Sequence, residues 1–151
     1  MLHVVFGFQF ESEHYDTEQL QQNVRAMFQR ALDSYVATPG AIQARLEFRP
    51  LAAAYGEHLF NEIARDIISA DIAVFDTSDL NPNVMLEFGV ALTWGTRVLP
   101  IRKEGCPPLP SDVSGHTWAE YRDSAAVFVD PDHRNKLGRM VERAIRRKAR
   151  A

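Results

Sequence analysis

Residues Asp71 to Gly95, DIAVFDTSDLNPNVMLEFGVALTWG, join a short apolar run to an apolar helix through a loop of carboxylates, amides and hydroxyls. The run DIAVFD has the length and continuous apolar character of a central strand buried on both faces of a parallel sheet. Thr77 to Leu80 supply the loop. Asn81 is a good N-cap and Pro82 a good first helical residue, so the spacing predicts a helix from Pro82 to about Trp94, with Gly95 placed to end it.

Working outward, the same alternation continues in both directions. Leu2 to Phe8 (LHVVFGF) reads as a buried first strand, and Asp16 to Val36 as a long helix with Leu20, Val24, Met27, Phe28, Ala31 and Tyr35 at helical spacing. The TPG of Thr38 to Gly40 stops that helix. Ala41 to Leu51 alternates as a second strand, and Tyr55 to Ala70 is a helix with an apolar stripe of Leu59, Ile63, Ile67 and Ile68. Downstream, Arg97 to Ile101 is a fourth strand and KEGCPPLPSDVSG is proline-rich and irregular. A fifth strand falls within His116 to Arg122, and Pro131 to Arg150 is a closing helix. The expectation is a single α/β domain over residues 1–151. Its form would be a three-layer, doubly wound, parallel five-stranded sheet in the flavodoxin-like order 2-1-3-4-5. In that order a ligand crevice lies at the carboxyl ends of strands 1 and 3, which brings the turn after Phe8 beside the loop from Asp76 to Asn83.

Composition agrees with one globular domain: 151 residues, 46% apolar and 25% charged. The single cysteine, Cys106, excludes an internal disulfide, and no Cys/His cluster has zinc spacing. A reducing, cytoplasmic setting is expected, with no metal and no cofactor. No segment approaches the roughly 18 to 20 apolar residues of a membrane span, and the first residues lack the pattern of an export signal, so no membrane partner is expected. The net charge of -3 is unevenly spread. Residues Arg134 to Ala151 hold eight of the 17 Lys/Arg but one of the 20 Asp/Glu, leaving nine basic and nineteen acidic residues elsewhere. The favoured reading of this tail is a solvated helix face whose cations suit the negative end of the dipole, and nucleic acid is not an expected partner.

Glu87 stands out within its helix. Asn83, four residues earlier, shares its face, while Met85, Leu86, Phe88 and Val90 surround it in sequence. Burying a carboxylate costs free energy unless it is paired, so this placement points to a function in the crevice. An equally simple reading has Glu87 emerging at the helix edge, where the N-terminal dipole stabilises it by roughly 0.3 to 1 kcal/mol. Asp76, at the end of its strand, and Asp79 have the chemistry of acids, bases or nucleophiles, although a strand-end Asp also commonly caps the next loop. Thr77, Ser78 and the amides near Asn83 suit a phosphate, which Asp76 and Asp79 would resist; sugar hydroxyls are easier neighbours for these acids. Gln9, Phe10, Tyr15 and His58 are further crevice residues or simply structural ones. The chain has no GxGxxG, GxxxxGK or GxSxG motif, His3 and His133 look incidental, and Cys106 reads as an inert loop thiol.

The block ISADIAVFDTSDLNPNVMLEFGVALTWGTRVLPI resembles the core motif of the nucleoside 2-deoxyribosyltransferase-like and TIR-like superfamily. There a strand ending in an acid leads through a polar loop to a helix bearing Glu-[Leu/Phe]-Gly. The NPNVxxEFGxA form is similar to TIR-like nucleotide-binding domains of bacterial antiphage defence. The resemblance implies cleavage of an N-glycosidic bond, with Glu87 attacking the anomeric carbon or stabilising an oxocarbenium-like state. It also implies that a neighbouring subunit can complete the site, hence a homo-oligomer. The transferases usually carry an Asp six residues before the glutamate, whereas this chain has Asn81, whose amide cannot protonate a leaving base. Either Asp76 or Asp79 substitutes for that acid, or the leaving group needs no proton, as with nicotinamide in NAD; the second favours a nucleotide or NAD glycohydrolase.

On this reading Glu87 and Asp76 are the catalytic candidates, and Phe8, Gln9, Phe10, Thr77, Asp79, Asn81 and Asn83 bind the substrate. Two alternatives are a non-catalytic nucleotide-binding sensor or adaptor and a nucleoside 2-deoxyribosyltransferase. A purely structural interaction domain is a third.

Overall fold

A run as apolar as Ile72 to Phe75 must be covered on both faces, and it lies fully buried in the middle of the sheet. The structure, a computed structural model, describes residues 1–51, 59–109 and 118–150. In chain order the elements are β1 (Leu2–Gly7), α1 (Thr17–Val36), β2 (Leu46–Pro50), α2 (Leu59–Ser69), β3 (Ile72–Asp76) and α3 (Pro82–Thr93). They continue with β4 (Arg97–Lys103), β5 (Ala119–Arg122), β6 (Val127–Phe128) and α4 (His133–Ala149). The fold is α/β, with a mostly parallel sheet of order β2-β1-β3-β4-β5-β6. Among the described residues no helix is long and apolar enough to cross a membrane.

Successive side chains of a strand point to opposite faces, and the two cores follow that rule. Val4, Phe6, Ile72 and Val74 pack with Leu20, Val24 and Phe28 of α1 and Leu137, Val141 and Ile145 of α4. Val5, Ala73 and Phe75 pack with Ile63 and Ile67 of α2 and Val84, Phe88 and Ala91 of α3. The sheet is thus the middle of three layers.

Local signals set the helix ends. Asp16 caps α1 by accepting from the Gln19 N–H (2.9 Å). Asn81 caps α3 ahead of Pro82, and Gly95 takes φ +71 just beyond the helix, a conformation that favours glycine.

Three expectations need correction. The sheet has six strands rather than five, because Val127–Phe128 pairs antiparallel with β5; two residues are too few to display a period of two. The second strand begins at Leu46, not Ala41. Its register runs from Leu2↔Leu46, so residues before it have no strand to pair with, and Ile42 N–H donates instead to the Tyr35 hydroxyl (3.1 Å). β4 extends to Lys103, since Ile101 to Lys103 find partners in Ala119 to Tyr121. The expected start of the second helix at Tyr55, and the first part of the fifth-strand window, lie outside the described residues.

Candidate active site

Phe88 is fully buried and meets the Phe75 ring edge-on at a centroid distance of 5.6 Å, which fixes the rotation of α3 against the sheet. The preceding residue, Glu87, is thereby carried to the carboxyl end of β1, where Gly7 makes room for it. A Cβ on Gly7 would stand 2.7 Å from Glu87 Oε2 and 2.7 Å from Phe75 Cδ1, both inside contact distance. Glu87 is 8% exposed, and its Oε2 has no hydrogen-bond partner among the described residues. Burial alone pushes its carboxyl up to about 7.

Asp76, 2% exposed, is treated differently. It accepts the Tyr121 hydroxyl in a short hydrogen bond and the Ser78 N–H at 2.9 Å. Tyr121 gives its proton to Asp76, so the Ser78 hydroxyl, 3.4 Å away, is left as the donor to the Tyr121 oxygen. Ser78 Oγ in turn accepts the Lys103 N–H at 2.8 Å. This chain ties the end of β3 to β4 and β5. Burial raises the Asp76 carboxyl to about 6, with the Tyr121 and Ser78 hydrogen bonds pulling the other way. The Tyr121 hydroxyl is raised by burial and by the charge of Asp76.

Strand alternation separates these two acids. Asp76 follows Ile72 and Val74 toward the α1/α4 face, with Tyr121 in that core, whereas Glu87 approaches from the α3 face. The two catalytic candidates therefore lie on opposite faces of the sheet at its carboxyl edge. Comparisons with known proteins leave the site to its own geometry. No protein-family model and no curated protein sequence matches the chain.

The two loops meet where the sheet order brings them together. Asn81 Oδ1 accepts from the Asn83 and Val84 N–H groups (2.9 and 3.2 Å), while its Nδ2 donates to Gln9 Oε1 at 2.8 Å. Gln9 Nε2 donates to the Glu11 carbonyl, and its backbone N–H to the Tyr15 hydroxyl (2.9 Å). Asp79 accepts the Ser12 hydroxyl at 2.7 Å, and His14 Nε2 lies 3.6 Å from its other oxygen. Thr77 is buried, and its hydroxyl donates to the Ile101 carbonyl. Phe8 is buried between Phe6 and Phe10, whereas Phe10 is 59% exposed and Asn83 is exposed in the first turn of α3. Leu80 takes φ +48, uncommon for a non-glycine residue and a mark of strain in this loop. His58 lies outside the described residues.

Several of these partners were invisible in sequence. Gly7 looked like an ordinary strand residue, and Tyr121, Ser12 and His14 carry no local pattern. Their roles come from register and loop meeting. Cys106 is buried, and its thiol is raised by burial although the Ser78 hydroxyl opposes this, so it holds little thiolate.

Proposed function

We propose that this protein cleaves the N-glycosidic bond of a nucleotide, NAD being the leading candidate, with Glu87 as nucleophile or oxocarbenium stabiliser. The observation that carries the reading is Oε2 of Glu87, buried at the carboxyl end of β1 with no hydrogen-bond partner among the described residues. A carboxylate in that position has no counter-charge among the described residues. A ribose ring supplies one as its C1–N bond lengthens, so the interaction is stronger in the transition state than before it. The bonding electrons leave with the base; nicotinamide departs neutral because its glycosidic nitrogen already bears positive charge. Water then adds at C1 and loses a proton.

This reading fits the supply of acids. Asp76 is enclosed by Tyr121 and Ser78, and Asn81 is an amide engaged as a cap, so neither suits protonation of a purine or pyrimidine. Asp76 contributes by holding the loop that bears Asp79 and Asn81. The resemblance of the NPNVMLEFGVA stretch to TIR-like nucleotide-binding domains supports the same chemistry, and antiphage defence as its setting. The doubly wound, flavodoxin-like description of the sheet belongs to the same proposal.

The test is to incubate purified protein with NAD and a panel of nucleosides and nucleotides, following base release by chromatography. Nicotinamide release lowered by on the order of 10²–10³-fold in Glu87→Gln is the expected result. Release undiminished by this change would sink the role given to Glu87, and no release by wild type, even at high protein concentration, would sink the enzyme. The internally satisfied Gln9, Asn81 and Asp79 favour a sensor as the second reading, which saturable binding without release in calorimetry would select.

A further inference from the structure

We propose a second site at the opposite end of the sheet, where Arg97, Arg139, Arg143 and Arg147, with Trp94, bind single-stranded nucleic acid. The sequence alone favoured a solvated basic face on the last helix. The fold changes this by bringing Arg97, the first residue of β4, and Trp94, the C-cap of α3, beside that face. One cavity of about 410 Å³ is lined by Arg97, Lys136, Arg139, Met140 and Arg143, with no acid in its wall. A second, of about 270 Å³, shares Arg97 and is lined by Trp94, Arg147 and Lys148 together with one acid, Asp71. Cations predominate in the combined lining of the two cavities.

Neighbouring acids neutralise only part of this charge. Asp130 pairs with Lys136, Asp132 with Arg139 at 3.8 Å, and Asp71 with Lys148 at 3.2 Å. Arg97, Arg143 and Arg147 have no ion pair among the described residues, and Arg97 Nε is buried without a hydrogen-bond partner. The helix dipole accounts for cations in the last turn of α4, Arg146, Arg147 and Lys148. It does not account for Arg139 and Arg143 in mid-helix, or for Arg97 on another element. Arg139, Arg143 and Arg147 recur every four residues, which sets them about 6 Å apart along one face. Such a row matches a chain of phosphates.

Trp94 decides between a single strand and other polyanions. It is 65% exposed at the second cavity, and a protruding indole stacks on an unpaired base, whereas a duplex keeps its bases inside.

The experiment uses the whole chain and fluorescence anisotropy of a labelled oligothymidylate of about 16 nucleotides, with a duplex of equal length and polyglutamate as comparators. The single strand is expected to bind at least about tenfold more tightly than either, with affinity falling steeply between about 50 and about 200 mM salt. Arg143→Glu/Arg147→Glu should weaken binding by at least about tenfold and flatten the logarithmic salt slope by about 1.4, at roughly 0.7 per lost phosphate contact. Trp94→Ala should weaken it by roughly tenfold and leave that slope unchanged. Both arginines are exposed and without an ion pair among the described residues, so the double variant should stay folded, with a Tm lowered slightly by the acid placed at the negative end of the α4 dipole, and Glu87→Gln should bind as wild type does. Equal binding of duplex or polyglutamate, or affinity indifferent to Trp94→Ala or to the double charge reversal, overturns the proposal.

Discussion

Asp76 and Glu87 are both buried acids at the carboxyl edge of the same sheet, and burial raises the proton affinity of each. They differ in what the chain provides around them. Asp76 receives a phenol and a backbone N–H, and its network reaches across three strands; Glu87 Oε2 receives nothing from the described residues. A buried polar group is ordinarily satisfied, and leaving one bare costs roughly 1–3 kcal/mol or more when it is charged. An acid the fold needs for itself is given partners, as Asp76 is. An acid with no partner for Oε2 among the described residues, behind a glycine that clears its place, is the one to which the proposed function assigns the substrate.

The largest expected effect is on turnover. Glu87→Gln keeps the shape and removes the charge, and should lower base release on the order of 10²–10³-fold, the range lost with one preorganised electrostatic group. If the ionised form acts, kcat/KM should rise with pH around a midpoint near 7, the value to which burial pushes this carboxyl. A pH profile flat from 6 to 8 would break the contrast with Asp76.

Stability should move the other way. The folded-state value of about 7 exceeds the ordinary 4.5, so between those pH values the native state holds the proton more tightly than the unfolded chain. The stability linked to Glu87 is therefore complete below about 4.5 and lost as pH rises through about 7, on the order of 3 kcal/mol in all. Glu87→Gln escapes this loss. Its Tm should equal or exceed wild type at pH 8 and lose that advantage at pH 4, as read by thermal melts. Tyr121→Phe should do the reverse of a functional change, destabilising by about 1–3 kcal/mol through the stranded Asp76 carboxylate while the folded fraction keeps most of its turnover. Denaturant titration with parallel assays would show whether the two acids separate in this way.

Gly7→Ala tests the clearance directly. The new Cβ meets both Glu87 Oε2 and the Phe75 ring, and Phe75 is locked in a core, so the cost should be about 1–3 kcal/mol with a loss of activity. A variant as stable and active as wild type would mean that α3 shifts freely, and the tight seat of Glu87 would not hold.

Much of the fold was readable because its signals are local. Ile72 to Asp76 announced a buried strand, and Asn81-Pro82 announced the helix that carries Glu87, with its start at the expected residue. What was not readable depends on partners distant in sequence. Asp76 looked available to a ligand, yet its phenol comes from Tyr121, 45 residues later, and the face it points to depends on register. Gly7 acquires meaning only when β1 lies beside β3 and α3 packs above them. The short β6 and the early end of pairing at Leu46 have the same cause, because a strand extends only as far as its neighbour does.

Asn81 gives the smallest effect and the finest distinction. In the resemblance to the deoxyribosyltransferases its amide takes the place of an acid. In the fold its Oδ1 is the N-cap of α3 and its Nδ2 binds Gln9. Asn81→Asp would keep the cap, since Asp and Asn cap comparably, and would exchange the Gln9 bond for a charge that the helix N-terminus favours by roughly 0.3–1 kcal/mol. A net change under about 1 kcal/mol is expected. The same N–H groups would hold the new carboxylate ionised, so it would be a poor acid, and Asn81→Asp should not confer release of adenine or thymine from deoxynucleosides. Release of those bases by this variant would show that the residue turns from the helix to the substrate, and that one amide separates this site from a nucleoside-cleaving one.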